Sequence, residues 1–299
     1  MKIFIAGGAG FIGKHLSDFL LDRGHQVTAV GTRPDQNLIN HKNFNYISAD
    51  TTRKGSWQAE LKDVDAAVNL AGRSIFKRWS KKYKALIYDS RILTTRHLVD
   101  ALPTHKDISL INASGAGYYG DRGDDILTEN DANGNDFLAT VCQDWEDEAF
   151  QAEKKGIRVV STRFGVVLGK NGGAMEKMES AFRFFVGGPM GSGMQWFPWI
   201  HLEDLISAMI FVLEHQNVKG PFNFCSPHPV RNGDLAKTMG RVLNRPSFMP
   251  APAFVMRLVL GEFAGTLFDS QRTIPEKLLS NGFSFQHADI GEAIRNIVK

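Results

Sequence analysis

The chain has 299 residues, with 35 Lys and Arg against 32 Asp and Glu for a formal net charge of +3, and 43% hydrophobic and 22% charged residues. That is the composition of an ordinary soluble globular protein with room for two domains, or for one large domain with an excursion, and it excludes disordered, collagen-like and fibrous classes. There is no run of like charge to act as a nucleic-acid or membrane arm, no apolar stretch as long as a membrane span, and only two cysteines, Cys142 and Cys225.

Short apolar runs at Lys2–Ala6, Gln26–Gly31, Asn45–Ser48, Ala66–Leu70, Ser109–Ala113 and Arg158–Arg163 predict strands, and helical patterns fall between them. Phe11, Ile12, Leu16, Phe19 and Leu20 follow the spacing of a helix with one buried stripe, which Gly24 ends as a C′ residue. Longer helices are expected at Ser80–Ala101, with Ser80 as N-cap, and at Phe137–Lys155, before Gly156. This alternation predicts an α/β fold, a Rossmann-like doubly wound parallel sheet. Past Gly165 the alternation fades into glycine- and proline-rich pieces, which predict a smaller, mostly helical carboxyl-terminal substrate lobe. The expected division is residues 1–165 with a return segment about 198–225 for the first domain, and 166–197 with 226–299 for the lobe.

Between the first strand and the first helix runs Gly7-Gly8-Ala9-Gly10-Phe11-Ile12-Gly13. Such a loop turns sharply, lets backbone approach a pyrophosphate and packs helix against strand, while the helix amino terminus offers free N–H groups to the phosphates. Gly7, Gly10, Phe11, Ile12 and Gly13 are therefore expected to hold a dinucleotide. The second strand ends in Gly31-Thr32-Arg33, where an acid would bind a free ribose 2′-hydroxyl. Thr32 and Arg33 instead suit a 2′-phosphate, which favours NADP(H); the plainer reading of Arg33 is a solvated arginine before Pro34. Asp50 and Thr51, past the third strand, are placed to meet adenine, and Leu70, Ala71 and Gly72, past the fourth, to run along the ribose; both stretches are also ordinary turn chemistry. Arg73, Lys77 and Arg78 border the same crevice and can meet phosphates or an anionic substrate, or form a solvated loop over a packed Trp79. Met194, Trp196 and Trp199 offer a substrate wall or ordinary packing.

Together these residues resemble the extended short-chain dehydrogenase/reductase superfamily of nucleotide-sugar epimerases and dehydratases. More narrowly they resemble its sugar-nucleotide-epimerase-related subfamily, which carries a small carboxyl-terminal domain of unknown function. The likeness is carried by Ala67 to Gly72, Asp89 to Arg96, Gly117 to Gly123, Phe137 to Glu146 and Trp199 to Asp204. It implies NADP(H) at the glycine loop and a cleft between the sheet and the lobe for a small-molecule substrate. The superfamily moves a proton with a Tyr-x-x-x-Lys pair. Alignment on Trp145-Glu146 places Leu138 and Cys142 at those two positions, so the usual pair is missing and Cys142 stands on the cofactor side as a small buried hydrophobe. The superfamily serine falls at Gly115, one residue from Ser114.

The replacement catalytic candidates are Ser114, Tyr118 and Tyr119, with Arg163, Cys142 and His201 behind them. Adjacent tyrosines at a strand end point to opposite sides, so one of the two is expected in the core. No second His or Cys stands at ligand spacing from His201, so no metal is expected. The sequence reading is thus a cytoplasmic NADP(H)-binding, epimerase-like oxidoreductase without nucleic-acid or membrane partners, able to pair as a homodimer through the helices at Ser80–Ala101 and Phe137–Lys155. The alternative is a non-catalytic NADP(H)-dependent sensor or partner-binding protein, linked by resemblance to cell division.

Overall fold

A computed structural model describes residues 1–34, 38–104, 107–251 and 253–299. Seven strands form one parallel sheet: β1 (Lys2–Ala6), β2 (Gln26–Gly31), β3 (Phe44–Ser48), β4 (Ala66–Asn69), β5 (Ser109–Gly115), β6 (Arg158–Phe164) and β7 (Gly220–Phe224). Their order is β7-β6-β5-β4-β1-β2-β3, and the register places Ile3 between Val27 and Ala66. The chain leaves β1 towards β2 and β3, then returns to the other side of β1 with β4. That reversal opens a crevice beyond the carboxyl ends of β1 and β4, the place where such sheets bind ligands.

The strict alternation of β1 explains the layers. Ile3 and Ile5 face α1 (Phe11–Asp22) and α5 (Leu202–Glu214), while Phe4 and Ala6 join Trp57, Leu61, Leu98 and Leu110 on the other side. As expected, Ser80 caps α2 (Lys81–Ala101), its Oγ accepting from the Tyr83 N–H at 3.1 Å. Asp136 caps α3 (Phe137–Phe150) in the same way, and a short 3₁₀ turn, Gln151–Lys155, carries the chain on to Gly156. Gly24 takes the left-handed conformation, with φ at 78°, one residue past the C-cap of α1.

Beyond β6 the chain forms α4 (Gly173–Arg183), α5 and, after β7, α6 (Asn232–Leu243), α7 (Ala253–Leu260), α8 (Phe263–Thr266), α9 (Glu276–Ser280) and α10 (Ile290–Val298). A separate core of Met175, Phe182, Trp199, Leu235, Met239, Ile294 and Ile297 holds this region. Among the described residues, no helix is long and apolar enough to cross a membrane.

Candidate functional site

A cleft of about 530 Å³ opens beyond the carboxyl ends of β1, β4, β5 and β6. Its floor is the glycine loop. Gly7 has φ at 78°, and a Cβ there would stand 2.7 Å from the Leu70 carbonyl carbon; a Cβ on Gly13 would stand 2.6 Å from the Gly7 oxygen. Neither position admits a side chain, so the loop lies flush against the end of β4 and against the start of α1. Gly10 caps α1 without a side-chain acceptor, which leaves the first N–H groups of the helix free for an anion.

Two arginines line this end of the cleft, Arg73 and Arg91. The Arg91 guanidinium donates to the carbonyls of Ile87 and Arg73 at 3.0 and 3.2 Å and lies 5.0 Å from the Trp145 ring. No carboxylate pairs with Arg91 among the described residues, and its burial lowers its pKa. A half-buried arginine left without a carboxylate on the wall of the cleft is suited to an anionic ligand.

The middle of the cleft is Ser114, at the end of β5, and Cys142, on α3. Ser114 Oγ donates to Glu146 Oε1 at 2.7 Å. Glu146 is gripped by Arg163 through two bonds of 2.9 Å, and both side chains are buried. Arg163 also donates to Tyr119 Oη at 3.0 Å and stacks 3.4 Å over the Tyr118 ring. The Ser114 proton is therefore committed to Glu146, leaving its lone pairs for the cleft. Burial pushes the Cys142 thiol up to about 11, so it stays neutral and is a poor nucleophile at ordinary pH.

The far wall comes from distant parts of the chain: Ile75 and Phe76 after β4, Leu138 on α3, and Phe263, Thr266, Leu267, Asp269 and Gln271 around α8. Burial pushes the Asp269 carboxyl up to about 6, reinforced by the neighbouring carboxylates Asp136 and Asp121.

Of the residues singled out from sequence, Gly7, Gly10, Phe11, Ile12, Gly13, Leu70, Gly72, Arg73, Ser114 and Cys142 line the cleft together. Ala71 packs into the core beside them. Thr32 and Arg33 are exposed past β2, where Tyr46 Oη donates to the Arg33 carbonyl at 2.9 Å and fixes the turn. Asp50 accepts from the Thr52 hydroxyl and N–H, bonds that hold its carboxyl below the usual range, and Thr51 is buried with its Oγ1 2.9 Å from that of Thr94. Arg78 turns towards the Leu258 carbonyl of α7. Trp79 is buried between Phe137 and Phe263 under an exposed Lys77 and Arg78.

Several readings change. Tyr118 and Tyr119 do not sit at a strand end facing opposite ways. They occupy the 3₁₀ turn Ala116–Tyr119, and both rings lie behind the cleft wall, 5.2 Å apart. Tyr119 Oη is held 2.7 Å from Asn223 Oδ1, and burial raises its pKa. Trp199 is fully buried and Trp196 bonds Asp124, so neither forms a substrate wall; Pro198 alone of that stretch reaches the cleft. His201 does meet a second histidine. His201, Glu203 and His287 bring one ligand atom each within 4.8 Å of one another, a closeness that spacing along the chain conceals. The Nδ1 of His201 accepts the Glu203 N–H as the cap of α5, and the two rings stack 3.9 Å apart. This is helix-end packing away from the cleft.

Sequence patterns do not single out Arg91, Glu146 or Asp269. Arg91 and Glu146 stand inside longer family-like segments without a motif of their own, and Asp269, between Phe268 and Ser270, carries no pattern that marks it.

The sequence model of the NAD dependent epimerase/dehydratase family matches residues 3–225, and that of a domain of unknown function, DUF1731, matches residues 251–297. An epimerase family protein of Staphylococcus haemolyticus is 39% identical over 302 residues, covering 100% of this chain and 99% of that protein. The chloroplastic SDR39U1 homolog of Arabidopsis thaliana is 36% identical, covering 100% of this chain and 87% of that protein. The crystal structure of human epimerase family protein SDR39U1 with NADPH superposes with a TM-score of 0.86 at 32% identity over 99% of each chain. UDP-glucuronic acid 4-epimerase from Bacillus cereus shares the fold, with a TM-score of 0.80 at 18% identity over 100% of this chain and 99% of that one. By sequence along most of its length and by fold, the chain belongs to the NAD dependent epimerase/dehydratase family.

Proposed function

We propose that this protein is an NADP(H)-dependent oxidoreductase with an acid–base apparatus different from Tyr-x-x-x-Lys. The observation that carries the reading is the glycine cradle, in which Gly7 and Gly13 leave no room for a Cβ and α1 presents unbonded N–H groups to the cleft. It fits a dinucleotide pyrophosphate. The end of β2, where Thr32 and Arg33 stand exposed in place of an acid, fits a 2′-phosphate, and the related human protein was crystallised with NADPH.

When bound, the nicotinamide group supplies or accepts a hydride. The chain's own residues do the rest. The loop and the α1 terminus bind pyrophosphate, Arg33 reads the 2′-phosphate, and Arg73 and Arg91 add positive charge at that end of the cleft. Ser114, its proton given to Glu146, offers oxygen lone pairs to a ligand N–H or O–H. Phe76, Phe263 and Leu267 exclude water from the reacting end.

Calorimetric titration with NADPH, NADP⁺, NADH and NAD⁺ at fixed salt tests this. Tight binding confined to the two 2′-phosphorylated forms is expected. Equal affinity for all four removes Arg33 as a reader, and no binding to any of them removes the oxidoreductase reading.

A further inference from the structure

The cleft has lost its family acid–base pair, and the other protic candidates are out of position. Tyr118 and Tyr119 lie behind the wall, the Ser114 proton is held by Glu146, and the Cys142 thiol is buried and neutral. Asp269 remains. It is the one carboxylate on the cleft wall among the described residues, and none of their side chains holds it in a hydrogen bond or ion pair. Its place is set from both sides. Asp121 Oδ1 accepts the Ser270 N–H at 3.1 Å, which draws the end of the α8 segment onto the loop after Tyr119. Asp136, close enough to act on Asp269, caps α3 two residues before Leu138, at the end of the helix from which the missing tyrosine would have worked. The charged groups acting on Asp269 are thus Asp136 and Asp121, both negative; the neighbouring Arg122 turns to the Ala132 carbonyl and to Asp125.

We propose that Asp269 is the proton donor and acceptor of this cleft, serving a substrate whose reacting end is a carbonyl or the corresponding alcohol with no phosphate beside it. The inference rests on the oxidoreductase reading. In the reducing direction the Asp269 carboxyl gives its proton to the carbonyl oxygen as the C=O π pair moves there, and the carbon receives the hydride that NADPH supplies. Asp269 is left as a carboxylate, which solvent reprotonates. In the oxidising direction the carboxylate takes the hydroxyl proton. The negative charge of Asp136 and Asp121, with no cation paired to Asp269 among the described residues, disfavours a diphosphate here, so this end suits an uncharged or cationic group.

The first test needs no substrate. In protein labelled with ¹³C at aspartate carboxyl carbons, the resonance that disappears in Asp269→Asn is expected to titrate close to 6, with or without NADP⁺. Titration in the ordinary carboxylate range overturns the proposal. It does so independently of cofactor affinity, so this failure is separable from that of the oxidoreductase reading. The second test follows NADPH oxidation by 4-nitrobenzaldehyde. Asp269→Asn is expected to lower kcat by about 100-fold, the usual scale for losing a positioned acid, with NADPH affinity unchanged. The wild-type rate should fall as pH rises through 6 and the variant should lack that limb. A variant that keeps the wild-type rate overturns the proposal, and tight binding of UDP to the NADP⁺-loaded protein overturns its phosphate-free substrate class.

Discussion

At the cofactor end of the cleft two short stretches supply most of the wall, Gly7 to Gly13 the floor and Leu70, Gly72 and Arg73 the adjoining edge, with Arg91 beside them. At the substrate end, Phe76, Leu138 and the stretch carrying Phe263, Leu267 and Asp269 are gathered from three distant parts of the chain. The first end is fixed by backbone, because what matters there is where side chains are missing and where N–H groups are free. The second is fixed by which side chains happen to meet. Backbone requirements tolerate little change, whereas an assembled wall can alter its chemistry while the sheet beneath it stays the same.

The largest way to disturb this arrangement is at the joint between the two ends. Glu146→Ala leaves Arg163 buried without its carboxylate and should cost about 3–5 kcal/mol of stability, the scale for breaking a buried pair; denaturant unfolding that moves by under about 1 kcal/mol would show the pair to be idle. At the cofactor end, Gly13→Ala sets a methyl 2.6 Å from the Gly7 oxygen and should weaken NADPH binding by about 100-fold in calorimetry, with NADH weakened equally. Arg33→Ala should weaken NADPH by about 10- to 100-fold while leaving NADH alone, the loss of one charge-assisted phosphate contact; equal weakening of both would sharpen the comparison against Arg33. At the substrate end, Asp269→Asn should raise the melting temperature at neutral pH. The folded protein holds this carboxyl near 6, above its ordinary value of 3.8, so ionising it costs stability as pH rises through that window. The gap between variant and wild type should therefore close as pH falls towards 4, and a gap independent of pH breaks the assignment. Smallest of all, Cys142→Ala should alter NADPH affinity by under about threefold, because a neutral buried thiol contributes little beyond packing.

The same contrast explains what was legible beforehand. Strands, helices, the Ser80 cap and the glycine loop follow from periodicity and from residues with unusual backbone freedom, and these are local properties. Leu138 and Cys142 announced a missing acid–base pair because they stand at fixed places on one helix. Asp269 was silent, since nothing in Phe268-Asp269-Ser270 says that folding carries it to the amino end of α3. The Tyr118 and Tyr119 reading failed for a related reason. β5 ends at Gly115 and the chain tightens into a 3₁₀ turn, so strand alternation no longer assigns their sides.

The pair formed by Glu146 and Arg163 also bears on how this site can evolve. Lysine at position 142 would bring an ammonium beside Arg91 and beside Glu146, whose carboxylate Arg163 already holds. Tyrosine at position 138 would have to share the space that Leu138 fills against Gly117, where a Cβ on the glycine would already stand 3.3 Å from the leucine. The first adds a like charge and the second adds bulk where the interior is already filled. Installing a tyrosine and a lysine on this helix therefore means changing their neighbours as well as the two positions themselves.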